Sequence, residues 1–577
     1  EYVFCFVSFE LQNYKKNMKK TIYFLGYIIG FIIIAYISYT YVKMGISHTN
    51  DIFLKKGYFV LATAVFVTVL ASLIYLKLTK FSIVKIYPIV LTLFGLAYMY
   101  VFPAMSAPDE IAHFISAYKI SNIMLGERAT VTDGHVIIRA GDLWLEDTDN
   151  EYKFDANKSV KEGVLIPEGG SHGKIVSSKL EEASYKVFYG EGNLRSRNSG
   201  ISFNGKTYDK AQSLHSPVNT IPSVYFFAAL GISIARILGL GSVYLVIFGR
   251  LTNLAVFVLL TSFAIKILPK FKEFIFLIGL FPTTVELAAS YSYDAIMIAS
   301  LIFFVSYVFY LAYEKDSFNI KDLITVTLFA GLVLPCKMVY FPILLILFLV
   351  PMQKFSVRGK VNGEIKKENI TFFLASAVTV LLSFVIAMYL VNRATVVGYS
   401  TSNTDSLEWA GEQSYTIGYL IHNKAKAIKL FYNTIILQLE YYHGTMMGTY
   451  LGHADTVIGI PYIGFLVLNI ALILSVFGEG KEKLLLLKDK ILVTVSVGFI
   501  IFLILLSMLI AWTPISSQFI EGVSGRYFIP VMLPILLVLQ NNKISVKNEM
   551  KRTLIFLFIF VNGLSLLQIF ATVCIRL

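Results

Sequence analysis

Long apolar runs limit the folds open to this chain more than any other feature. Many windows of about 20 residues carry almost no charge, and this is the length of a helix that spans the hydrocarbon core of a bilayer. Only 15% of the residues are charged, against about 25% in soluble domains. The alternating pattern of a transmembrane β-barrel is absent. The sequence therefore predicts an all-α polytopic membrane protein.

The net charge of +13 lies mainly in short loops between the apolar runs. Basic loops of this kind orient a chain in the membrane, so we interpret the excess as topology and expect no nucleic-acid partner. No phosphate-binding glycine-rich loop and no zinc-type spacing is visible. Cys5, Cys336 and Cys574 lie far apart and give no disulfide framework.

The N-terminal segment, residues 1–20, is expected in the cytoplasm because several lysines precede the first apolar run. Met18 and the two lysines after it resemble a natural start, so residues 1–17 are interpreted as an upstream extension. The run that follows is too long for a signal peptide and lacks a small-residue cleavage site. We therefore expect a retained anchor and a multi-pass protein of the cytoplasmic membrane.

About thirteen crossings follow from the criterion of roughly 20 apolar residues, relaxed for a short pair around Lys337. Residues 219–239 are also apolar, but counting them as a crossing would reverse the side of every later basic loop. Pro217 and Pro222 at the start of this segment fit a juxtamembrane helix instead. The predicted spans are 21–43, 57–78, 84–104, 243–267, 273–290, 293–312, 323–336, 339–352, 370–391, 456–477, 491–512, 526–540 and 553–574.

The spans divide the chain into segments around two polar loops. The first loop, 105–218, is expected outside the cytoplasm with short strands and helices, including hairpins near 136–138 and 143–145. The second outer loop, 392–455, carries an amphipathic helix near 423–442. The segments in order are the cytoplasmic 1–20, two additional N-terminal spans in 21–83, the first core span 84–104, the loop 105–218, the juxtamembrane helix 219–239, core spans in 243–391, the loop 392–455 and C-terminal spans in 456–577.

Two carboxylates and a histidine stand where the third span ends and the long loop begins: Asp109, Glu110 and His113. Pro108 suits the first turn of a helix, which would place Asp109 and His113 on one face. Carboxylates are costly at membrane depth, so such a cluster predicts a functional site. Electrostatic capping of the helix start is the alternative.

Further polar residues collect at the same predicted outer ends of the spans. Asp294 is either a helix cap or a second carboxylate, which together with Asp109 would suit Mg²⁺ or Mn²⁺. Lys337 and Arg526 are suited to a phosphate, and anchoring at the lipid headgroups is the alternative for both. Three others stay open: His215 as a substrate contact or a turn residue, Arg250 near the start of a span, and Asp455 in the second loop.

Several motifs follow one another along the chain. They are Pro108-Asp109-Glu110-Ile111-Ala112-His113-Phe114, His215-Ser216-Pro217, Gly249-Arg250-Leu251, Ser290-Tyr291-Ser292-Tyr293-Asp294, Lys337 with Tyr340, Leu451-Gly452-His453-Ala454-Asp455-Thr456, and Gly522-Val523-Ser524-Gly525-Arg526-Tyr527-Phe528. In this order they resemble the pattern of the bacterial DUF2142 membrane proteins. The resemblance extends over about 84–540, and that family is similar to the GT-C class of integral membrane glycosyltransferases.

The resemblance implies a GT-C-like fold and the transfer of a sugar from a polyprenyl-phosphate donor to a glycan or lipid-linked acceptor, often with a divalent metal. Asp109 would act as the general base or bind the metal, with Glu110 assisting, and Lys337 and Arg526 would neutralise the departing phosphate. A flippase or transporter of lipid-linked glycan and a non-catalytic envelope assembly protein are the alternatives. The other candidate roles are substrate or phosphate contacts for His215, Tyr340 and Tyr527, a second carboxylate or metal ligand for Asp294 and Asp455, and support by His113 and Arg250.

Overall fold

The computed structural model describes most of the chain, and helices dominate the described part. The first predicted span, 21–43, lies largely outside the described residues. The described ranges are 52–77, 81–102, 104–146, 160–167, 200–218, 220–356, 365–398, 406–407, 409–452, 458–477, 485–541 and 548–571, with isolated positions between 25 and 43.

The helices are of two kinds, long apolar α-helices and short helices that contain or follow prolines. The α-helices of the continuous ranges are α1 (Ile52–Lys77), α2 (Ile83–Val101), α3 (Glu110–Met124), α4 (Phe226–Ile237), α5 (Ser242–Ile267), α6 (Lys272–Gly279), α7 (Pro282–Ala288), α8 (Tyr293–Tyr313), α9 (Ile320–Leu332), α10 (Lys367–Gly398), α11 (Ile417–His422), α12 (Lys424–Met447), α13 (Tyr462–Ser475), α14 (Leu487–Ala511), α15 (Met532–Leu539) and α16 (Asn548–Phe570). The 3₁₀ helices are Ala140–Leu145, Pro222–Tyr225, Leu334–Cys336, Met338–Leu349, Met352–Lys354 and Gly525–Val531.

Seven helices within the described ranges are long and apolar enough to cross a membrane. They are α1, α2, α5, α8, the Lys367–Leu390 part of α10, α14 and the Glu549–Phe570 part of α16. This confirms a helical protein with several candidate membrane spans. The count of thirteen crossings and the GT-C architecture remain predictions, and α4 is a short apolar helix within the segment predicted to be juxtamembrane.

Four predicted spans are not continuous α-helices, and each one is interrupted at or next to a proline. The predicted span 273–290 divides into α6 and α7 at Pro282, because proline lacks an N–H and disfavours helical backbone in the residue before it. The span 323–336 ends early, since α9 stops at Leu332 before Pro335. The span 339–352 is a 3₁₀ helix with Pro342 inside, and 526–540 begins as a 3₁₀ helix that contains Pro530.

The long loop forms a small sheet that packs beside α3 and α4. Four strands follow the order β1-β6-β3-β2, with β1 (Ile137–Arg139) antiparallel to β6 (Lys210–Gln212) and β3 (Val164–Leu165) parallel to it. The fourth is β2 (Val160–Lys161), and a separate hairpin joins β4 (Ile201–Phe203) to β5 (Lys206–Tyr208). The run predicted as a hairpin near 136–138 therefore forms a strand, but its partner is the distant Lys210–Gln212 strand and not a neighbouring one. The hairpin predicted at 143–145 is wrong, because those residues end the 3₁₀ helix Ala140–Leu145.

The second loop also contains a short strand pair, β7 (Ser406–Leu407) with β8 (Glu412–Gln413), before α11 and α12. The helix predicted near 423–442 is confirmed as α12. The 3₁₀ helix Gly525–Val531 begins against the end of α12. Its Arg526 contacts both the turn between α2 and α3 and the start of α8. Of the seven candidate spans, α8 is the most enclosed, with 83% of its apolar window buried. The start of this central helix is therefore where distant segments can meet.

Candidate functional site

Asp109 stands in the turn between α2 and α3. Its φ of 59° lies in the left-handed region, which Asp tolerates better than most residues. Its side chain makes no cap hydrogen bond to α3, although Asp109 occupies the N-cap position, so the electrostatic-capping alternative stays open. The carboxylate instead accepts a hydrogen bond of 2.7 Å from Arg526 Nη2 and remains 55% exposed. Asp109 is therefore held in place and still open to a ligand.

Arg526 is carried by the 3₁₀ helix Gly525–Val531, which begins against the last turns of α12. The Gly525 N–H donates to Thr445 Oγ1 at 2.8 Å, and a Cβ on Gly525 would overlap the Tyr442 carbonyl oxygen. Glycine thus allows the approach that brings Arg526 to the site. While Nη2 bonds to Asp109, the Arg526 Nε lies 3.5 Å from Asp294 Oδ2. One guanidinium therefore links two carboxylates from distant parts of the chain.

Asp294 lies in the first turn of α8, but it is Ser292 that caps this helix. The Asp294 N–H donates to Ser292 Oγ at 3.2 Å, while Lys337 Nζ donates to Asp294 Oδ1 at 2.6 Å. The Lys337 ammonium also lies 4.9 Å from the ring centre of Tyr293 and 4.3 Å from that of Tyr527. Aromatic faces at such distances stabilise a partly desolvated cation. Lys337 is therefore a fixed positive charge and does not reach away to a headgroup.

We call Asp109, Asp294, Lys337 and Arg526 the charged cluster. Their formal charges cancel, and the side chains of Asp294, Lys337 and Arg526 are only 9%, 18% and 12% exposed. Asp109 is by contrast more than half exposed. The cluster therefore presents one accessible carboxylate in front of two enclosed cations. An exposed carboxylate can accept the proton of a hydroxyl group, and an enclosed cation can pair with an anion.

Glu110 lies away from the opening of this cluster. It is 1% exposed and forms a buried ion pair with Arg250, with Nε to Oε1 at 2.7 Å and Nη2 to Oε2 at 2.5 Å. Its carboxylate also accepts from the Ala107 N–H at 3.2 Å and from the Tyr291 N–H at 3.0 Å. Glu110 therefore faces Arg250 and not the charged cluster, and its assisting role in catalysis stays a prediction. Glu110 instead fixes the turn that carries Asp109 against α5 and the loop before α8.

Arg250 takes the supporting position that the sequence left open. Its Nη1 donates to the Phe102 carbonyl oxygen at 2.7 Å, so one side chain joins the end of α2 to Glu110. The neighbouring Gly249 lets Tyr291 pack on α5, since a Cβ there would overlap the Tyr291 hydroxyl, which donates to the Leu245 carbonyl oxygen at 2.7 Å. The Gly249-Arg250 pair therefore positions both the turn that carries Asp109 and the loop that precedes α8.

Aromatic side chains enclose the cluster from two sides. His113 Nδ1 lies 2.7 Å from the Tyr225 hydroxyl, and its ring packs edge-to-face on Tyr293 with centroids 4.7 Å apart. The buried Tyr340 donates its hydroxyl to the Tyr527 carbonyl oxygen at 2.8 Å. His113 therefore supports the wall beside Lys337, and Tyr340 anchors the segment that carries Arg526.

Burial lowers the pKa of His113 from 6.5 to about 4, against the raising effect of Asp109 and Asp294. As pH falls from 6.5 to 4, His113 takes up a proton in the unfolded chain but stays neutral in the folded chain. We expect this residue to remove about 3 kcal/mol of stability across that window. The variant H113N should flatten the acid side of the stability profile, measured by thermal unfolding in detergent at each pH. The matched variant H422N, at an exposed histidine, should follow the parent protein. Equal acid sensitivity in H113N and the parent would refute the assignment.

A model of the family described as "Predicted membrane protein (DUF2142)" matches residues 91–535. The chain belongs to the DUF2142 family. This confirms the resemblance seen in the motifs, and the match contains every member of the charged cluster. Within this DUF2142 protein, α1 and α16 lie outside the matched region. A search of curated proteins and a search of solved structures found no match.

His215, another predicted site residue of this DUF2142 protein, lies outside the charged cluster. His215 is held in the long loop, where its Nδ1 lies 3.1 Å from Glu146 Oε2 and its backbone N–H donates to the same oxygen at 2.8 Å. The observed role of His215 is thus to tie the loop to Glu146. Asp455 lies outside the described residues.

The carboxylates of the cluster do not fit a preformed divalent-metal site. The described ranges contain no group of three or more acidic, histidine or cysteine side chains arranged to hold a metal ion. Asp109 and Asp294 instead share Arg526, whose positive charge lies between them. The expectation of Mg²⁺ or Mn²⁺ stays a prediction, and no step proposed below passes through a metal.

Two aromatic residues of the DUF2142 site were not singled out from the sequence. Tyr293 is adjacent to Asp294 in the predicted motif, and its position at a helix start beside a carboxylate was a usable signal. Tyr225 gives no such local signal, because its contact with His113 joins segments 112 residues apart. Only the folded chain brings this wall together.

Proposed function

We propose that this DUF2142 protein is an integral membrane glycosyltransferase that uses a polyprenyl-phosphate-linked sugar. The acceptor is a cell-envelope glycan or a lipid-linked glycan, and the reaction takes place at the outer face of the cytoplasmic membrane. The observation that carries this proposal is the hydrogen bond between the exposed Asp109 and the enclosed Arg526. A base for an acceptor hydroxyl and a cation for a donor phosphate thus lie in contact.

The positive charges of the cluster suit the donor phosphate. A polyprenyl-phosphate sugar is a phosphodiester with one negative charge, and the phosphate gains a second charge when the sugar leaves. Arg526 and Lys337 are both largely enclosed, so their attraction for that developing charge is less screened than at an open surface. Arg526 is also suited to grip two phosphate oxygens because of its planar fork.

The reaction follows from these positions. The acceptor oxygen attacks the anomeric carbon, the bond from that carbon to the phosphate oxygen breaks, and the phosphate keeps the electron pair. Asp109 takes the proton of the acceptor hydroxyl, and a single in-line attack inverts the anomeric carbon. Donor phosphate competes with Asp109 for Arg526, so donor binding also releases the carboxylate for its role as base.

The outer face is supported by the distribution of basic loops along the sequence. The apolar spans would place the site next to the bilayer, where the lipid part of the donor lies. The turn that carries Asp109 follows directly after α2, one of the candidate spans. A flippase would need polar residues along a path through the bilayer. The charged cluster instead lies at one end of the central helix α8.

The proposal is tested by removing the phosphate cation. We expect R526Q to lower sugar transfer about 100- to 1,000-fold, the usual cost of losing one preorganised group that stabilises transition-state charge. The readout is the linkage composition of envelope glycans in cells that express the variant, together with the abundance of the protein in the membrane. One sugar linkage should disappear while the protein level holds.

The matched control is R128Q, which alters an exposed arginine of the long loop that pairs with Glu162. It should leave glycans unchanged. If R526Q cells keep every linkage at normal protein abundance, the transferase assignment fails. Accumulation of a complete lipid-linked glycan, with all linkages intact, would instead identify a flippase.

A further inference from the structure

A second cleft lies beside α12, on the segment that leads to Arg526. It has a volume of about 440 Å³, and its lining includes Lys426, Lys429 and Asn433 from the first half of the helix. Ser516, Ser517 and Gln518 line the opposite wall. The described lining residues supply two ammonium groups, two amides and two hydroxyls, and none of them is acidic. The Glu412 carboxylate adjoins one wall, where it accepts from the Ser516 N–H at 3.2 Å. This composition favours an anionic ligand that also carries hydrogen-bonding groups.

The walls of this cleft are fixed by hydrogen bonds. The Tyr415 hydroxyl donates to the Ile515 and Ser517 carbonyl oxygens at 2.9 and 3.2 Å. Asn433 Nδ2 donates to the Gln518 carbonyl oxygen at 2.9 Å, which ties α12 to the opposite wall. A preformed cleft loses less conformational freedom when it binds a ligand. These bonds connect the two walls of the cleft and fix their spacing.

Among the described residues, no acidic side chain pairs with Lys426 or Lys429, so their positive charges are not neutralised. Lys426 Nζ lies 5.4 and 5.6 Å from the ring centres of Tyr415 and Tyr419, and it donates to the Ile515 carbonyl oxygen at 3.4 Å. Neither contact neutralises an ammonium group. Among the residues that the structure describes, no ion pair includes Lys426 or Lys429. Three residues apart on one helix, they present two positive charges on the same face.

The cleft and the charged cluster are joined by one pair of segments. Thr445 lies sixteen positions after Lys429 on α12, a rise of about 24 Å at 1.5 Å per residue. Thr445 Oγ1 accepts from the Gly525 N–H, next to Arg526. A ligand that reaches both the cleft and Asp109 is therefore elongated, with an anionic part well away from the reacting hydroxyl.

We propose that this cleft binds an acidic segment of the acceptor, a glycan that carries carboxylate or phosphate groups. Lys426 and Lys429 pair with its acidic groups, and the amides and hydroxyls of the walls bond to its sugar hydroxyls. The assignment of the ligand as the acceptor rests on the proposed transferase function. Binding of an acidic glycan in the cleft is measurable without any transfer.

The test compares the binding of tetragalacturonate with that of neutral maltotetraose to the purified protein in phosphatidylcholine nanodiscs. We expect the acidic oligosaccharide to bind about tenfold more tightly, with a difference that shrinks as salt rises. K426Q/K429Q should remove that preference. The matched control K161Q/K206Q, at two exposed lysines of the long loop, should keep it.

Equal binding of the acidic and neutral oligosaccharides, or an unchanged preference in K426Q/K429Q, overturns the proposal. So does a K426Q/K429Q defect confined to phosphatidylglycerol vesicles, because the lysines would then contact lipid headgroups. If no variant alters envelope glycans but binding still requires the lysine pair, the transferase function fails and the acidic-glycan cleft stands.

Discussion

Replacing Asp109 with asparagine should lower sugar transfer about 100- to 10,000-fold, the contribution of a positioned general base. The amide keeps the size of the carboxylate and its oxygen still accepts a hydrogen bond from Arg526, but it cannot take the acceptor proton. Because Asp109 is more than half exposed, the change leaves no buried group unpaired. Protein abundance and thermal unfolding should therefore match the parent while one glycan linkage is lost.

The matched control for D109N is D133N, at an exposed aspartate of the long loop whose carboxylate accepts from the His135 N–H. This variant should keep full transfer. Donor binding gives a second readout. The neutral amide of D109N competes less strongly with phosphate for Arg526 than the carboxylate does, so donor binding should tighten while transfer falls. Full transfer by D109N would remove Asp109 from the proposed chemistry, whatever the fate of Arg526.

The fold was predictable where apolar runs are uninterrupted. The predicted spans 243–267 and 293–312 correspond closely to α5 and α8, because about 20 apolar residues specify a helix without help from neighbours. The runs that contain Pro282 or Pro342 were predicted as spans too, since hydropathy alone does not register a missing N–H. The structure breaks them into short α- and 3₁₀ helices.

The candidate site was predictable as a set of residue types and not as a set of contacts. Charge in an apolar context singled out Asp109, Asp294, Lys337 and Arg526, and the structure brings these four together. Glu110 carries the same signal as its neighbour, yet one residue further along the chain its side chain enters the core to meet Arg250. The sequence could not separate these two carboxylates, because only the packing of α5 against the Asp109 turn decides which one is buried.

That buried pair leads to the largest expected effect on stability. Replacing Arg250 with methionine should destabilise the protein by about 3–5 kcal/mol, because it leaves the Glu110 carboxylate charged and enclosed without its partner. The measurement is the free energy of unfolding in detergent, followed by tryptophan fluorescence. Since Glu110 also accepts from the Ala107 and Tyr291 N–H groups, the variant should disturb the turn that carries Asp109, and transfer should fall with stability.

A double-mutant cycle separates the pairing from the loss of either side chain. The variant E110Q/R250M carries no buried charge at this place, and the amide oxygen that replaces the carboxylate still accepts from the Tyr291 N–H, so this variant should be more stable than R250M alone. The exposed pair Arg128–Glu162 serves as the matched control, and R128Q/E162Q should change stability by less than about 1 kcal/mol. If R250M unfolds like the parent, Glu110 does not depend on Arg250 for its burial. The hydrogen bonds from the Ala107 and Tyr291 N–H groups to Glu110 would then be enough to hold the turn that carries Asp109.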